Sequence, residues 1–224
     1  MLFDMRAVIF DLDGTLLNTI GDITDAINYA RLCFDGEAIG SEDIRRYVGS
    51  GLRKALTAAL IEHGPRLESE EEEELMFQIL MQYYKNHPSD KAIFYEGIPQ
   101  LLQDLKISGY KLAILSNKAD EIIQKIAVNC FDKDLFDVVR GKIPSMPLKP
   151  NPEALCNILS LLNVEKQDAL YIGDSEIDFK SAQNAGLRSL IVNYGFRDKS
   201  FLDEQGINSI DHVPSIEEID SVFS

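Results

Sequence analysis

Three short apolar runs each break off on a cluster of acidic, hydroxyl or amide residues, and this repeated ending constrains the fold more than any other feature of the chain. Ala7-Val8-Ile9-Phe10 stops at Asp11-Leu12-Asp13-Gly14-Thr15, and Lys111-Leu112-Ala113-Ile114-Leu115 stops at Ser116-Asn117-Lys118. Ala169-Leu170-Tyr171-Ile172 stops at Gly173-Asp174-Ser175. Continuous β-branched and aromatic runs of this length read as strands buried on both faces. Weaker runs stand at Val138-Val139 and Ser189-Leu190-Ile191-Val192. Helical stripes fill the gaps: Leu101, Leu102 and Leu105 after Pro99; Ile122, Ile123, Ile126, Ala127 and Cys130; Leu155, Ile158, Leu159 and Leu162, with Asn151 as N-cap and Pro152 at the first helical position; and Phe179, Ala182 and Ala185 before Gly186. Strands alternating with helices predict an α/β fold with a doubly wound parallel sheet. Ligands of such sheets bind at the carboxyl ends of the strands, where the three polar endings would converge.

One stretch departs from that rhythm. About eighty residues separate the first strand from the helix near Pro99, where a crossover needs a dozen or so. Ile20, Ile23, Ile27 and Ala30 recur at helical spacing, as do Leu52, Leu56, Ala59 and Leu60, and Phe77, Leu80, Met81 and Tyr84. The expected organisation is therefore an α/β core from residues 1–17 and 91–224, with a helical unit over 18–90 inserted and His87-Pro88-Ser89-Asp90 as its return hinge. The run Glu70–Glu74 reads as a solvated helix start, where carboxylates suit the dipole.

Charge narrows the partners. The 22 basic against 37 acidic residues give −15, which repels phosphate backbones and anionic membrane surfaces, so neither nucleic acid nor membrane is expected as a partner. No apolar run reaches the roughly 18 residues needed to span a bilayer, and the start of the chain lacks the basic and uninterrupted apolar stretches of a secretory signal. Cys33, Cys130 and Cys156 form no CxxC pair and are expected to be reduced, buried apolar fillers in a cytosol-like compartment. His63, His87 and His212 show no ligand spacing. A cytoplasmic monomer or homodimer acting on a small metabolite fits these features.

The strand ends carry the chemistry. Asp11, Asp13, Asp174 and Asp178 would crowd negative charge together, which is costly without a cation, and oxygen-only ligands suit a hard ion, Mg²⁺. Ser116, Asn117 and Lys149 supply the donors and positive charge that a phosphoryl group needs. Asp11, at its strand end, can attack phosphorus. Asp13, two residues on, can protonate the leaving oxygen and then accept a proton from water. Gly14 permits the sharp exit, and Glu176 is left facing solvent.

Asp11-Leu12-Asp13-Gly14-Thr15, Ser116, Lys149-Pro150 and Gly173-Asp174-Ser175-Glu176-Ile177-Asp178, in that order, resemble the four motifs of the haloacid dehalogenase superfamily. The resemblance spans the chain, including a helical cap inserted after the first motif. It implies Asp11 as nucleophile and Mg²⁺ ligand, and Asp13 as acid/base that also binds the ion through its main-chain carbonyl. Asp174 becomes a ligand, Asp178 metal-associated through water or a neighbour, and Ser116 and Lys149 the phosphoryl clamp. Asp13 sets the chain apart from the dehalogenase branch, which lacks the second acid. A strand-end aspartate with a hydroxyl and a lysine also occurs in phospho-acceptor signalling modules, but those are about half this size and lack an insertion.

The segment Arg45-Arg46-Tyr47-Val48-Gly49-Ser50-Gly51-Leu52, with Gly195-Phe196-Arg197, resembles phosphoglycolate phosphatases within the superfamily, which hydrolyse 2-phosphoglycolate. Free N–H groups at a glycine-rich helix start favour anions, so Gly49, Ser50, Gly51 and Arg53 are expected to receive a second anionic group, such as a carboxylate. Related capped members are β-phosphoglucomutases, pyrophosphatases and sugar-phosphate phosphatases, and a non-catalytic regulator is the remaining alternative. Asn18 stands where many relatives carry Asp.

Overall fold

A computed structural model describes residues 6–223. In chain order, β1 (Ala7–Phe10) and the two-residue β2 (Leu17–Asn18) precede α1 (Ile20–Leu32), α2 (Ser41–Tyr47), α3 (Leu52–His63), α4 (Glu70–Asn86) and β3 (Ile93–Phe94). Strict alternation follows, through α5 (Ile98–Ile107), β4 (Lys111–Ala119), α6 (Asp120–Cys130), β5 (Val138–Lys142), α7 (Glu153–Leu162), β6 (Ala169–Gly173), α8 (Glu176–Ala185) and β7 (Arg188–Ile191). Two short helices, α9 (Lys199–Glu204) and α10 (Ile216–Val222), close the described chain.

Five strands form one parallel sheet in the order β5-β4-β1-β6-β7. β1 sits at its centre, with Phe10 opposite both Ile114 and Ile172. Side chains alternate across a strand, and both sets are buried here. Ala7, Ile9, Ala113, Leu115, Ala169 and Tyr171 pack with Leu155, Ile158 and Leu159 of α7 and Ala182 of α8. Val8, Phe10, Leu112, Ile114, Leu170 and Ile172 point to the other face and are equally buried. Burial on both faces explains why these strands are continuous apolar runs, and aligns the ends of β1, β4 and β6 along one edge.

Packing divides the chain into two units: the stretch up to Asn18 together with that from Phe94 onward, and Thr19–Ile93. Within the second, α1 packs on α4 and α2 on α3. Arg31 is 1% exposed there and is held by main-chain carbonyls. Its guanidinium donates to the carbonyls of Ala59 (3.3 Å), Glu37 (3.0 Å) and His63 (3.2 Å), and to that of Gly64, closing the C-terminal end of α3. Ser69 caps α4 by accepting from the Glu72 N–H, so the acidic run is the first turn of that helix.

Local details differ from the sequence-based expectation. α7 begins one residue later than read, with Pro152 as its N-cap, because the Asn151 side chain accepts from the Glu153 N–H at 2.9 Å and shapes the turn before the helix. The cysteines are not buried: Cys33 is exposed and Cys130 and Cys156 are partly so. No helix among the described residues is long and apolar enough to cross a membrane.

Candidate active site

The end of β1 is tied to β6 by the Asp11 N–H, which donates to the Ile172 carbonyl at 2.8 Å. The chain then turns through Gly14 at φ +86°, and a Cβ there would lie 2.2 Å from Asp174 Oδ2. Gly195 is equally confined, since its Cβ would meet the Gly14 carbonyl at 2.2 Å and Asp174 Cβ at 2.5 Å. These two glycines let the β1 turn and the chain after β7 close on Asp174.

Lys149 is the centre of the site. Its buried Nζ lies 2.9 Å from Asp11 Oδ1 and 2.7 Å from Asp178 Oδ1. It also donates to the Tyr171 hydroxyl at 3.0 Å and the Leu115 carbonyl at 3.3 Å. Tyr171 passes a hydrogen bond on to Asp178 Oδ1 at 2.9 Å. The other Asp178 oxygen accepts from the Ser175 N–H at 3.1 Å and from the Ser175 hydroxyl, the capping box of α8. Asp174 is held separately: Oδ2 accepts from the Phe196 N–H at 2.7 Å, and Oδ1 from the Thr15 hydroxyl at 3.3 Å. Asp13 Oδ1 pairs with the buried Lys118 ammonium at 2.7 Å.

Electrostatics separate these acids. Burial pushes the Asp11 carboxyl well above its ordinary range; Lys149 offsets part of this, and the charges of Asp178, Asp174 and Asp13 reinforce it. Burial, then the charge of Asp178, raises Asp174 to about 7. Burial also works against ionisation of Asp178, but Lys149 and the bonds from Ser175 and Tyr171 outweigh it, and its pKa falls below the ordinary value. Lys149 is held well above its usual range because Asp11 and Asp178 overcome its own desolvation. Asp11, Asp174 and Asp178 bring carboxylate oxygens within 4.8 Å of one another, the one such ligand group found among the described residues. The donors are all oxygen, and two of the three acids resist ionising as they stand. That combination fits a hard divalent cation.

The expected site residues Asp11, Asp13, Ser116, Asn117, Lys149, Asp174 and Asp178 all belong to the α/β unit and are buried or nearly so. The Asn117 side-chain amide is turned to the main chain of Lys149, donating to its carbonyl at 3.2 Å and accepting from its N–H at 2.8 Å. The Asp178 carboxylate accepts from Lys149, Tyr171 and Ser175. Glu176 is not solvent-facing; it pairs with Arg197 at 3.1 Å. Lys118, Tyr171, Thr15 and Ser175 also reach the aspartates, and residue type alone does not mark them. The one available signal was Tyr171, the only side chain with a polar head in the buried strand β6.

In the helical unit, Gly49 (φ +123°) and Gly51 (φ +94°) form the turn before α3, and Gly51 caps that helix without a side-chain bond. Ser50 lies partly buried between them. Arg53 does not present an open guanidinium: it lies 3.8 Å over the Phe77 ring and pairs with Glu74 at 2.7 Å, because α4 offers both an aromatic face and a carboxylate.

A parallel sheet whose strand ends gather four aspartates around two buried lysines defines an α/β enzyme of the strand-end aspartate class. The haloacid dehalogenase-like hydrolase family pattern matches residues 8–192. The chain belongs to that family, and within it to the phosphatases. A phosphoglycolate phosphatase of Psychrobacter arcticus is 31% identical over 196 residues, 86% of this chain and 85% of the relative. The pyrophosphatase PpaX of Bacillus cereus is 28% identical over 88% of this chain and 87% of its own. A crystal structure from Lactobacillus delbrueckii subsp. bulgaricus superposes with a TM-score of 0.83 at 30% identity, covering 99% of each chain.

Proposed function

We propose that the chain is a Mg²⁺-dependent phosphomonoester hydrolase that works through a phosphorylated Asp11 and converts 2-phosphoglycolate to glycolate and phosphate. The observation that carries the chemistry is Lys149 Nζ at 2.9 Å from the carboxylate that ends the central strand. A buried ammonium there holds Asp11 in line and meets the phosphoryl oxygens, with Ser116 as a further donor. Asp11 attacks phosphorus while the ester oxygen leaves and takes a proton from Asp13. Water then attacks the acyl phosphate, gives a proton to Asp13 and frees Asp11 with release of phosphate. The ion would be held by Asp11, Asp174 and the Asp13 main-chain carbonyl, with Asp178 beside them on Lys149. When bound it supplies charge neutralisation for the phosphoryl oxygens.

The names of the relatives support the substrate, as does the helical unit, which we read as the family's cap. Its Gly49–Gly51 turn opens α3 on a glycine without a side-chain cap, and a helix start of that kind suits an anion such as a carboxylate. Phosphate release is measured with and without Mg²⁺ across 2-phosphoglycolate, sugar phosphates, pyrophosphate and a nucleoside monophosphate, with Asp11→Asn as the blank. A kcat/KM preference for 2-phosphoglycolate is expected. Broad, weak turnover would sink the substrate assignment, and no Mg²⁺-dependent release above the blank would sink the hydrolase reading.

A further inference from the structure

Lys118 is a buried cation that the steps above do not use. Its side chain is 2% exposed, and its ammonium meets Asp13 Oδ1 at 2.7 Å, with Asp13 itself 12% exposed. Taking an ammonium out of water costs several kcal/mol, and a buried ion pair contributes little net stability over an apolar pair of similar size. The pair is therefore poorly explained as fold-building. Its position is informative: Lys118 lies in the same strand-end tripeptide as Ser116 and Asn117, and its own N–H donates to Ser116 Oγ at 3.1 Å. The neighbouring Asn117 fixes the main chain of Lys149. One short segment thus holds the cation beside Asp11 and supplies the cation on Asp13.

We propose that Lys118 is the positioning residue of the acid/base group: by holding Asp13 Oδ1 it aims Oδ2 at the leaving oxygen. The inference rests on the hydrolase reading. As the Asp11–phosphorus bond forms and the ester P–O bond breaks, the proton passes from Asp13 Oδ2 to the departing oxygen. When water opens the acyl phosphate, its proton returns to the same oxygen. An unheld carboxylate rotates about two side-chain bonds, and misplacement of a reacting group by about 1 Å can cost on the order of 100-fold in rate.

The test uses leaving-group chemistry, because an alkoxide needs a proton as it departs and a nitrophenolate hardly does. kcat/KM, which reports steps through formation of the phosphorylated enzyme, is measured for alkyl phosphates and for p-nitrophenyl phosphate in wild type, Lys118→Met and Lys118→Arg. We expect Lys118→Met to lose about 100-fold on alkyl esters and less than about fivefold on the nitrophenyl ester, within the range that general acid catalysis supplies. Lys118→Arg should recover most of that loss, and Lys118→Met in an Asp13→Asn background should cost nothing further. Equal losses on both esters, or additive losses in the double variant, would show that Lys118 acts on the phosphoryl group or the fold, and would overturn the proposal alone. An unchanged Lys118→Met would overturn it too. If thermal melting shows Lys118→Met unfolded, Lys118→Gln takes its place under the same criteria. A wild type that releases phosphate from no ester would overturn the hydrolase reading and this role with it.

Discussion

Without a cation, the site should make the protein less stable as pH rises, and Asp174 gives the size of the effect. Its carboxyl titrates at about 7 in the folded chain against 3.8 for an ordinary aspartate. Between those values the folded state keeps a proton that the unfolded state has lost, so stability falls with rising pH through this window and levels off above about 7. At about 1.36 kcal/mol per pKa unit, the loss between pH 5 and pH 8 is about 2–3 kcal/mol. For a chain of this size that corresponds to a fall of about 5–10 °C in Tm. Asp11, raised in the same direction, adds to the slope. Thermal melts in a chelator at pH 5, 6, 7 and 8 measure it, and Asp174→Asn removes this contribution together with the part of the Asp11 shift that the Asp174 charge causes. The wild type should lose about 2–3 kcal/mol more than Asp174→Asn over this range. Mg²⁺ should restore stability more at pH 8 than at pH 5, since at pH 5 it must first displace protons. Parallel pH dependences in the two proteins, or an Mg²⁺ effect equal at both pH values, would refute the reasoning.

Three further outcomes follow from individual contacts. Tyr171→Phe keeps the ring but deletes the hydroxyl shared by Lys149 and Asp178; loss of a bond to charged groups, about 1.5–3 kcal/mol, should lower kcat/KM by roughly 10- to 100-fold, and a change under about twofold in steady-state kinetics would count against it. Gly195→Ala places a Cβ 2.2 Å from the Gly14 carbonyl and 2.5 Å from Asp174 Oδ2, so the rise in Tm on adding Mg²⁺ should disappear. Arg31→Met strands the buried carbonyl of Ala59 and the part-buried carbonyls of Glu37 and His63; a cost of about 2–3 kcal/mol is expected, read as faster amide hydrogen exchange in α3 with the strands of the sheet unchanged.

Legibility in the sequence tracks burial and locality. β1, β4 and β6 are readable because both faces are covered, which forces unbroken apolar runs. β5 and β7 lie at the sheet edges, half-buried, and admit Arg140, Lys142 and Arg188, which blurs the same signal. The aspartates and Lys149 are readable because each stands where a run or helix changes, and their company carries more than any one of them. Side-chain partners drawn from distant elements are not readable. A lysine after a strand end looks solvated until the β1 turn brings Asp13 to Lys118, and Arg53 looks like an open anion ligand until α4 supplies Glu74 and Phe77. The Asn117 amide reads from residue type as a free donor, and its bonds to the main chain of Lys149 come from a loop that its own neighbours in sequence do not announce.

The charges of the site also sort its acids by task. Four carboxylates, Asp11, Asp13, Asp174 and Asp178, face two ammonium groups, Lys118 and Lys149. Lys118 is on Asp13. Lys149 touches two acids, but its nearer contact, at 2.7 Å, is Asp178, which also receives Tyr171 and Ser175 and is the one held below its ordinary pKa. Asp11 and Asp174 remain, and both are raised. The fold thus balances Asp13 and Asp178 most closely and leaves Asp11 and Asp174 only partly offset, by Lys149 and Arg197, so both resist ionising, an arrangement that a divalent cation would complete. A chain designed only to be stable would have filled those positions with apolar groups. Leaving Asp11 and Asp174 costly is understandable if a bound ion repays the cost, and if Asp11, raised by its surroundings, is the group that must become a nucleophile only once that ion has arrived.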